Sequence, residues 1–405
     1  MSGHKQKMHC ASFSVSSTRG YTLIELIIVM ALFIVVIIIS SQAFNRILSI
    51  STQQTKSSES DTQGVIGLEI LRYDLEHAGY GLPWMLGFVA EFDEGQATVG
   101  SLALGIDTQQ FNDTYNTTSD TNKVPRAVQA AASTTDGKDY LVIKSVIAGM
   151  SDTVKKWTFV DGIGASSTLK AWESNNFSAN ERVITIDSRT KRLIGTSTAP
   201  ADFSYTITTA ITTTATMTPP VRSAPSLANF QPQQDTDVFV AYGVSPSSDL
   251  RVPYNRVDYY VKRPTTAGDM PTRCAPGTGI LYKAVMNHAD GKFTQYPLVE
   301  CIADMQVIFS LDTNGDGEVD LHVAEDGLSG LSAKEIRTQL REIRVYIVAH
   351  EGGKDSNYTH STSSIDVGEY GNGRTLDLNA LVGAEYKYYR WKTYKLVVVP
   401  RNINY

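Results

Sequence analysis

Residues 19–39 read Arg19-Gly20-Tyr21-Thr22-Leu23-Ile24-Glu25-Leu26-Ile27-Ile28-Val29-Met30-Ala31-Leu32-Phe33-Ile34-Val35-Val36-Ile37-Ile38-Ile39. From Leu23 onward Glu25 is the only residue of this stretch that is not apolar. The run from Tyr21 to Phe44 is long enough to cross a bilayer as a helix, which takes about 20 residues. Lys5, Lys7 and Arg19 precede it, and no Lys or Arg follows until Arg46. That asymmetry points the N-terminus into the cytoplasm and the body outside. Two physical readings stand side by side. A basic start, an apolar run and Ser41-Gln42-Ala43 suit a secretory signal, but the run exceeds the usual ~7–15 residues and holds a carboxylate near its start. A plain transmembrane anchor suits the length, but a carboxylate in the membrane is costly and rarely kept without a role.

A third reading comes from Arg19-Gly20-Tyr21-Thr22-Leu23-Ile24-Glu25-Leu26, which resembles the type IV prepilin motif. That family has Gly before the cleaved bond, an aromatic residue after it and Glu as the fifth mature residue. Tyr21 stands where Phe is usual, and Gln42 stands where the family often has the Pro that kinks the helix. The resemblance implies cleavage between Gly20 and Tyr21 by a prepilin peptidase, with methylation of the new amine. It also implies that Glu25 pairs with the N-terminus of an adjacent subunit during assembly. The spacing has a physical basis: Glu25 lies one helical turn from Tyr21, and a buried carboxylate needs a cation, for which the freed amine of its own or a neighbouring chain is nearest. The helix would first lie in the inner membrane and then in a filament core.

The chain has 405 residues and a formal charge of −6; removing the three cations of residues 1–20, which hold no acid, leaves −9 on the rest. A mildly acidic body does not suit nucleic acid, which demands basic surfaces. Charged residues make up only 19% of the chain, and Thr, Ser, Asn and Gly abound, as in exported β-rich proteins. Of three cysteines, Cys10 lies in the basic leader, leaving Cys274 and Cys301. In an exported chain an even pair reads as one disulfide; two unrelated buried thiols are the alternative.

Past Ser40, Phe44, Ile47, Leu48 and Ile50 continue an apolar stripe, residues 51–64 are polar all round, and Val65, Leu68, Leu71 and Leu75 recur at helical spacing. The expected organisation is a leader over 1–20, a helix over 21–78 whose span covers 21–43, and a β-rich head over 79–405. Gly79 is placed to end the helix, with Pro83 soon after. Strand-like runs occur at 140–144, 157–160, 182–186, 238–242, 257–261, 305–309, 343–348 and 394–399. The Thr-rich stretches 112–122 and 203–218 read as edge strands or loops outside the core. The fold class expected is α+β, a long N-terminal helix packed on an antiparallel head.

Leu71-Arg72-Tyr73-Asp74-Leu75-Glu76-His77-Ala78-Gly79-Tyr80, the run from Leu281-Tyr282 through Val299 to Asp320, and Tyr394 to Asn402 are similar to PilW-type minor pilins. This resemblance implies a structural subunit of a type IV pilus, acting in assembly, initiation or the tip complex with the major pilin, other minor pilins and a PilY-type tip adhesin. Its location would be the inner membrane before assembly and the extracellular pilus after it. A type II secretion pseudopilin of the J type is the nearest rival, although such heads are usually much smaller. A membrane-anchored calcium-binding adhesin is a rival of another class. Residues 85–235 carry no recognisable motif. The sequence holds no H-E-x-x-H, G-x-S-x-G or P-loop, and His288, His322, His350 and His360 have no partners at ligand spacing, so no enzyme is expected.

The segment Asp312-Thr313-Asn314-Gly315-Asp316-Gly317-Glu318-Val319-Asp320 suggests a calcium site. Asp312, Asn314 and Asp316 alternate, Gly317 allows the turn, Glu318 would ligate through its carbonyl and Asp320 through water. The twelfth position is Val323 rather than a bidentate Glu, so Glu325 or Asp326 would have to fold back. The alternative is a metal-free turn rich in Asp, Asn and Gly.

Overall fold

The computed structural model describes residues 20–86, 92–96, 105–113, 124–196, 202–221, 229–266 and 268–403. The leader before Gly20 and residues 114–122 of the first Thr-rich stretch lie outside the described residues. The chain forms two compact units, Met1–Thr55 and Lys56–Tyr405.

Helix α1 runs Leu23–Glu76, where a helix over 21–78 was expected. In the first unit its apolar side chains, among them Leu23, Ile27, Phe33 and Ile37, are exposed all round. A helix apolar on every side needs lipid or other helices around it. In the second unit the helix is amphipathic. Leu68, Leu71, Leu75 and Ala78 are buried, whereas Val65 and Ile66 are exposed. Gly67 lets the helix approach the sheet: a Cβ there would lie 2.5 Å from Val299 Cγ2. Gly79, at φ +80°, ends the helical turn and donates its N–H to Lys144 O at 3.0 Å.

The strands are β1 Val128–Ala132, β2 Asp139–Ser145, β3 Trp157–Asp161, β4 Thr168–Leu169, β5 Arg182–Asp187, β6 Arg192–Leu193, β7 Ser204–Thr206 and β8 Phe239–Ser245. They continue with β9 Asn255–Lys262, β10 Gly279–Met286, β11 Phe293–Leu311, β12 Leu321–Val323, β13 Leu340–Glu351, β14 Ser364–Val367, β15 Arg374–Asp377 and β16 Arg390–Val398. Short helices α2 (Ala333–Gln339) and α3 (Leu378–Val382) sit among them. The main sheet has the order β1-β2-β9-β10-β11-β13-β16, with β12 on β11, and all its pairings are antiparallel. The α+β architecture is therefore as expected.

Alternation along the strands distributes the cores. On β11, Val307 and Phe309 join the main core with Leu71 and Leu75, while Ile308 faces Tyr346, Val348 and Trp391 on the other side, beside the β14–β15 hairpin. The second sheet, β4-β3-β8-β5-β6 with β7 on β5, gives Ile184, Ile186 and Val244 to the main core. Its opposite face presents Val183, Phe239 and Ala241 to Phe177, Tyr205, Ile207, Ile211, Met217 and Phe230. This corrects the expectation for 203–218: β7 is an edge strand, but Phe203, Tyr205, Ile207, Ile211 and Met217 are core. The threonines separate apolar residues that point inward.

Segments 92–96 and 105–113 are tied to the main sheet by buried charges. Lys144 Nζ lies 2.8 Å from Glu94 and 2.5 Å from Asp113, and Arg256 forks onto Asp258 at 2.8 Å through both Nε and Nη2. All five side chains are buried, so each charge depends on its partners.

Asp139, at the start of β2, is a buried acid of another kind. Its Oδ2 accepts from Val307 N at 2.6 Å, while Oδ1 has no hydrogen-bond partner. Burial first, then the nearby Glu325 and Asp304, push its pKa up to about 9 against the opposing pull of Arg374. A carboxyl raised in the folded state contributes stability that is complete below the ordinary carboxylate range. That stability is lost as pH rises towards about 9, because only the unfolded chain then releases the proton freely. Asp139→Asn keeps the acceptor for Val307 and removes the titration. In thermal unfolding of the detergent-solubilised chain, its advantage over wild type should widen steadily from pH 5 to pH 8. An equal difference at both pH values would mean that Asp139 ionises normally.

Candidate processing and assembly site

Gly20 and Tyr21 precede α1 and are exposed, Tyr21 at 88%. The bond read as the cleavage site thus joins two exposed residues just before the helix. Thr22 caps the helix. Thr22 N donates to Glu25 Oε2 at 2.9 Å, Thr22 Oγ1 donates to the same oxygen at 3.0 Å, and Glu25 N donates to Thr22 Oγ1 at 3.3 Å. This is a reciprocal capping box, T-x-x-E. The signal was present in the sequence as Thr22-Leu23-Ile24-Glu25 and was missed there. It gives Glu25 an intramolecular partner at the helix end where a negative charge is favoured. The apolar span behind it, Leu23–Leu48, contains an 18-residue window of mean hydropathy 3.2.

At the other end of α1 a second carboxylate is fully enclosed. Asp74 accepts from Tyr259 Oη at 2.5 Å, and its Oδ2 lies 2.6 Å from Lys283 Nζ. Burial outweighs these two partners and raises the Asp74 pKa. Two residues on, Glu76 pairs with Arg401 at 2.5 Å, and Arg401 N donates to Glu76 O at 2.9 Å. The last turn of α1 is thereby held by strands β9 and β10 and by the chain after β16.

Cys274 and Cys301 form a disulfide with Cα atoms 4.8 Å apart. Cys301 stands at φ +59° beside the register shift in β11. His350 lies against the pair, with all three side chains buried and one ligand-type atom of each within 4.8 Å of the others. Its Nε2 accepts from Ala275 N at 2.9 Å, and burial lowers its pKa to about 4, so it packs as a neutral ring near Tyr389 and Trp391.

The Asp312–Asp320 loop joins β11 to β12, a strand and not a helix. Asp312 accepts from Gly315 N at 2.6 Å and Gly317 N at 2.8 Å, and Arg341 Nη2 reaches its Oδ2 at 2.5 Å. Arg341 first, then burial's opposing effect and the two amides, leave the Asp312 pKa lowered. Asn314 Oδ1 accepts from Asp316 N, Asp316 Oδ1 accepts from Glu318 N at 2.8 Å, and Asp320 accepts from Thr313 N and Asn314 N. Glu325, considered as a twelfth-position ligand, is instead close enough to Asp139 to raise its pKa.

The apolar helix and the motif before it are consistent with a membrane-anchored, pilin-like chain: residues 15–41 match the family model described as the prokaryotic N-terminal methylation motif. More narrowly, residues 258–402 match the family model described as Type IV Pilus-assembly protein W. The two matches support a type IV pilin-like role, processed by prepilin peptidase and assembled with other pilins. Tyr259, Lys283 and Arg401, which hold the end of α1, all fall within the second match. No curated protein and no solved structure was found to match the chain.

The clamp on α1 makes a specific prediction. Asp74→Ala strands Lys283 as a buried unpaired cation and should cost about 3–5 kcal/mol. Asp74→Ala combined with Lys283→Met should recover most of that loss, measured by denaturant unfolding in detergent. A double variant no better than the single would show that the ion pair is not what the site depends on.

Proposed function

We propose that this chain is a minor pilin of a type IV pilus, acting structurally and not as an enzyme in pilus initiation, assembly or the tip complex. The observation that carries the reading is the Leu23–Leu48 helix, apolar and exposed on all sides, with its single carboxylate at the N-terminal end. Such a surface is satisfied by lipid before assembly and by like helices after it. The match to the W-type model favours the pilus over a type II secretion pseudopilin. The partners proposed are the major pilin, other minor pilins and a PilY-type tip adhesin. The head lies outside the cytoplasm, first at the inner membrane and then on the pilus.

The capping box sharpens the role of Glu25. Before cleavage its carboxylate is held by Thr22. Cleavage then supplies a cation, the Tyr21 amine, of this chain or its neighbour, which outcompetes neutral donors for a carboxylate in an apolar setting. Intact-mass measurement should place the mature N-terminus at Tyr21; a start at Phe44 would identify a conventional signal peptide instead. Glu25→Ala should still insert in the membrane and should be depleted from sheared filaments. Glu25→Gln keeps the Thr22 cap and removes the charge, so its depletion would assign the defect to the lost ion pair. Incorporation of both variants at wild-type levels would sink the pairing.

We also propose that Asp312–Asp320 takes Ca2+. Among the described residues, Arg341 is the one cation paired with a carboxylate of this loop, at Asp312; Asp316, Glu318 and Asp320 have none. Concentrated like charge favours a bound hard cation. Asp312, Asn314, Asp316 and Asp320 would hold it, with the Glu318 carbonyl, in competition with Arg341. Millimolar Ca2+ should raise the thermal midpoint relative to EDTA, and Asp316→Ala should abolish the rise. An unchanged wild-type midpoint would leave the loop as a turn.

A further inference from the structure

The second sheet lies between the two family matches and carries a feature that neither match covers. Strand β3 alternates strictly, with Thr158 and Val160 buried and Trp157 and Phe159 facing out. Trp157 is 39% exposed and Phe159 36%. Trp172, from the segment after β4, completes a corner. Its ring centre lies 5.2 Å from that of Trp157 at an interplanar angle of 59°, and 6.2 Å from that of Phe159.

The corner is built rather than accidental. Trp172 Nε1 donates to Trp157 O at 2.8 Å, so the indole's one polar group is already engaged. Asn176 grips the Trp172 backbone from both sides, accepting from its N at 2.7 Å and donating to its O at 2.8 Å. Thr158 Oγ1 donates to Lys170 O at 2.6 Å, and Lys170 Nζ lies 5.1 Å from the centre of the Trp172 ring. Asn175 stands in the left-handed region at φ +61° and donates to Lys155 O at 3.3 Å. Asn is a residue that tolerates this region at a turn. A cavity of about 260 Å³ opens here, lined by Lys155, Trp157, Trp172, Ser174 and Asn175.

We propose that this cavity is a saccharide-binding site. A pyranose ring has an apolar C–H face for the indoles and a hydroxyl rim for Ser174, Asn175 and Lys155. The other ligands of aromatic corners fit less well. A quaternary ammonium wants an aromatic box without a cation in it, and the one charged lining residue is Lys155. A nucleic acid wants a basic track, but Lys155 pairs with Asp152 and Lys156 with Glu181. A lipid chain has no use for a polar rim. This inference rests on the second sheet alone and stands independently of the pilus reading.

The test is calorimetric titration of the full detergent-solubilised chain with methyl glycosides and disaccharides of glucose, galactose, mannose and N-acetylglucosamine. Saturable binding of at least one probe is expected. Trp157→Ala and Trp172→Ala should each weaken it by about tenfold or more, the scale of one lost aromatic contact. Trp84→Phe, which does not line the cavity, should leave it unchanged. Should an alanine variant fail to fold, Ser174→Ala and Trp157→Phe with a wild-type melting midpoint take its place, and weakened binding is again expected. Absence of saturable binding across the panel overturns the proposal, as does binding that survives both tryptophan substitutions. Loss of filament incorporation in these variants without any saccharide binding would also overturn it and make the corner a contact between subunits.

Discussion

The head is organised around the burial of one helical stripe. Leu68, Leu71, Leu75 and Ala78 pack on a sheet whose central strands supply Tyr259, Leu281, Met305 and Val307. Four apolar residues on one face would leave the helix free to slide, because apolar contact is non-directional. Asp74 on the same helix removes that freedom, since its carboxylate must meet Tyr259 and Lys283 or stay buried without partners. Gly67 sets the depth of approach and Gly79 the exit, and Glu76 with Arg401 closes the end. The hydrophobic stripe supplies the association and the polar pairs supply the register.

What was legible in the sequence follows from which interactions are local. The apolar span, its lone carboxylate and the Leu68–Leu75 stripe are periodic patterns within one element. The eight strand-like runs were β-branched or aromatic over several residues, and each coincides with a strand of the structure, the runs 238–242 and 394–399 overrunning theirs by one residue. Strand β1 was not legible because Val128-Gln129-Ala130-Ala131-Ala132 favours a helix in isolation; pairing with β2 makes it a strand. The Thr-rich 203–218 was misread because composition was weighed above alternation. Nothing in the local sequence marked Lys144 and Arg256 as buried: apart from Asp258, their acidic partners lie in remote segments, Glu94 being 50 residues before Lys144 and 162 before Arg256. No short window contains such a pair.

The candidate sites divide along the same line. Gly20, Tyr21 and Glu25 form a linear motif, and its only missed member, Thr22, lies inside the motif itself. Cys274 and Cys301 were paired by count alone, whereas the buried ring of His350 beside them needed the fold. The Asp312–Asp320 loop was legible as a turn with convergent oxygens, but its electrostatic state was not. Arg341 comes from β13, and it neutralises the one buried carboxylate of the loop while leaving the exposed ones alone. A cation at that loop would therefore compete with a guanidinium already in place.

The second sheet shows how such a head gains surface without disturbing the part that holds the helix. Its inner face, through Ile184, Ile186 and Val244, completes the main core, so it cannot drift as an independent appendage would. Its outer face closes over its own cluster around Phe230 and Tyr205. Strand β3 is near the edge of this sheet, beyond the reach of either cluster on one side, and that is where Trp157 and Phe159 face out. Three large aromatics at such a place would be an aggregation liability if they were loose. Here Asn176, the Trp172 indole and Thr158 hold them in a fixed corner, which converts apolar exposure into a defined concave surface.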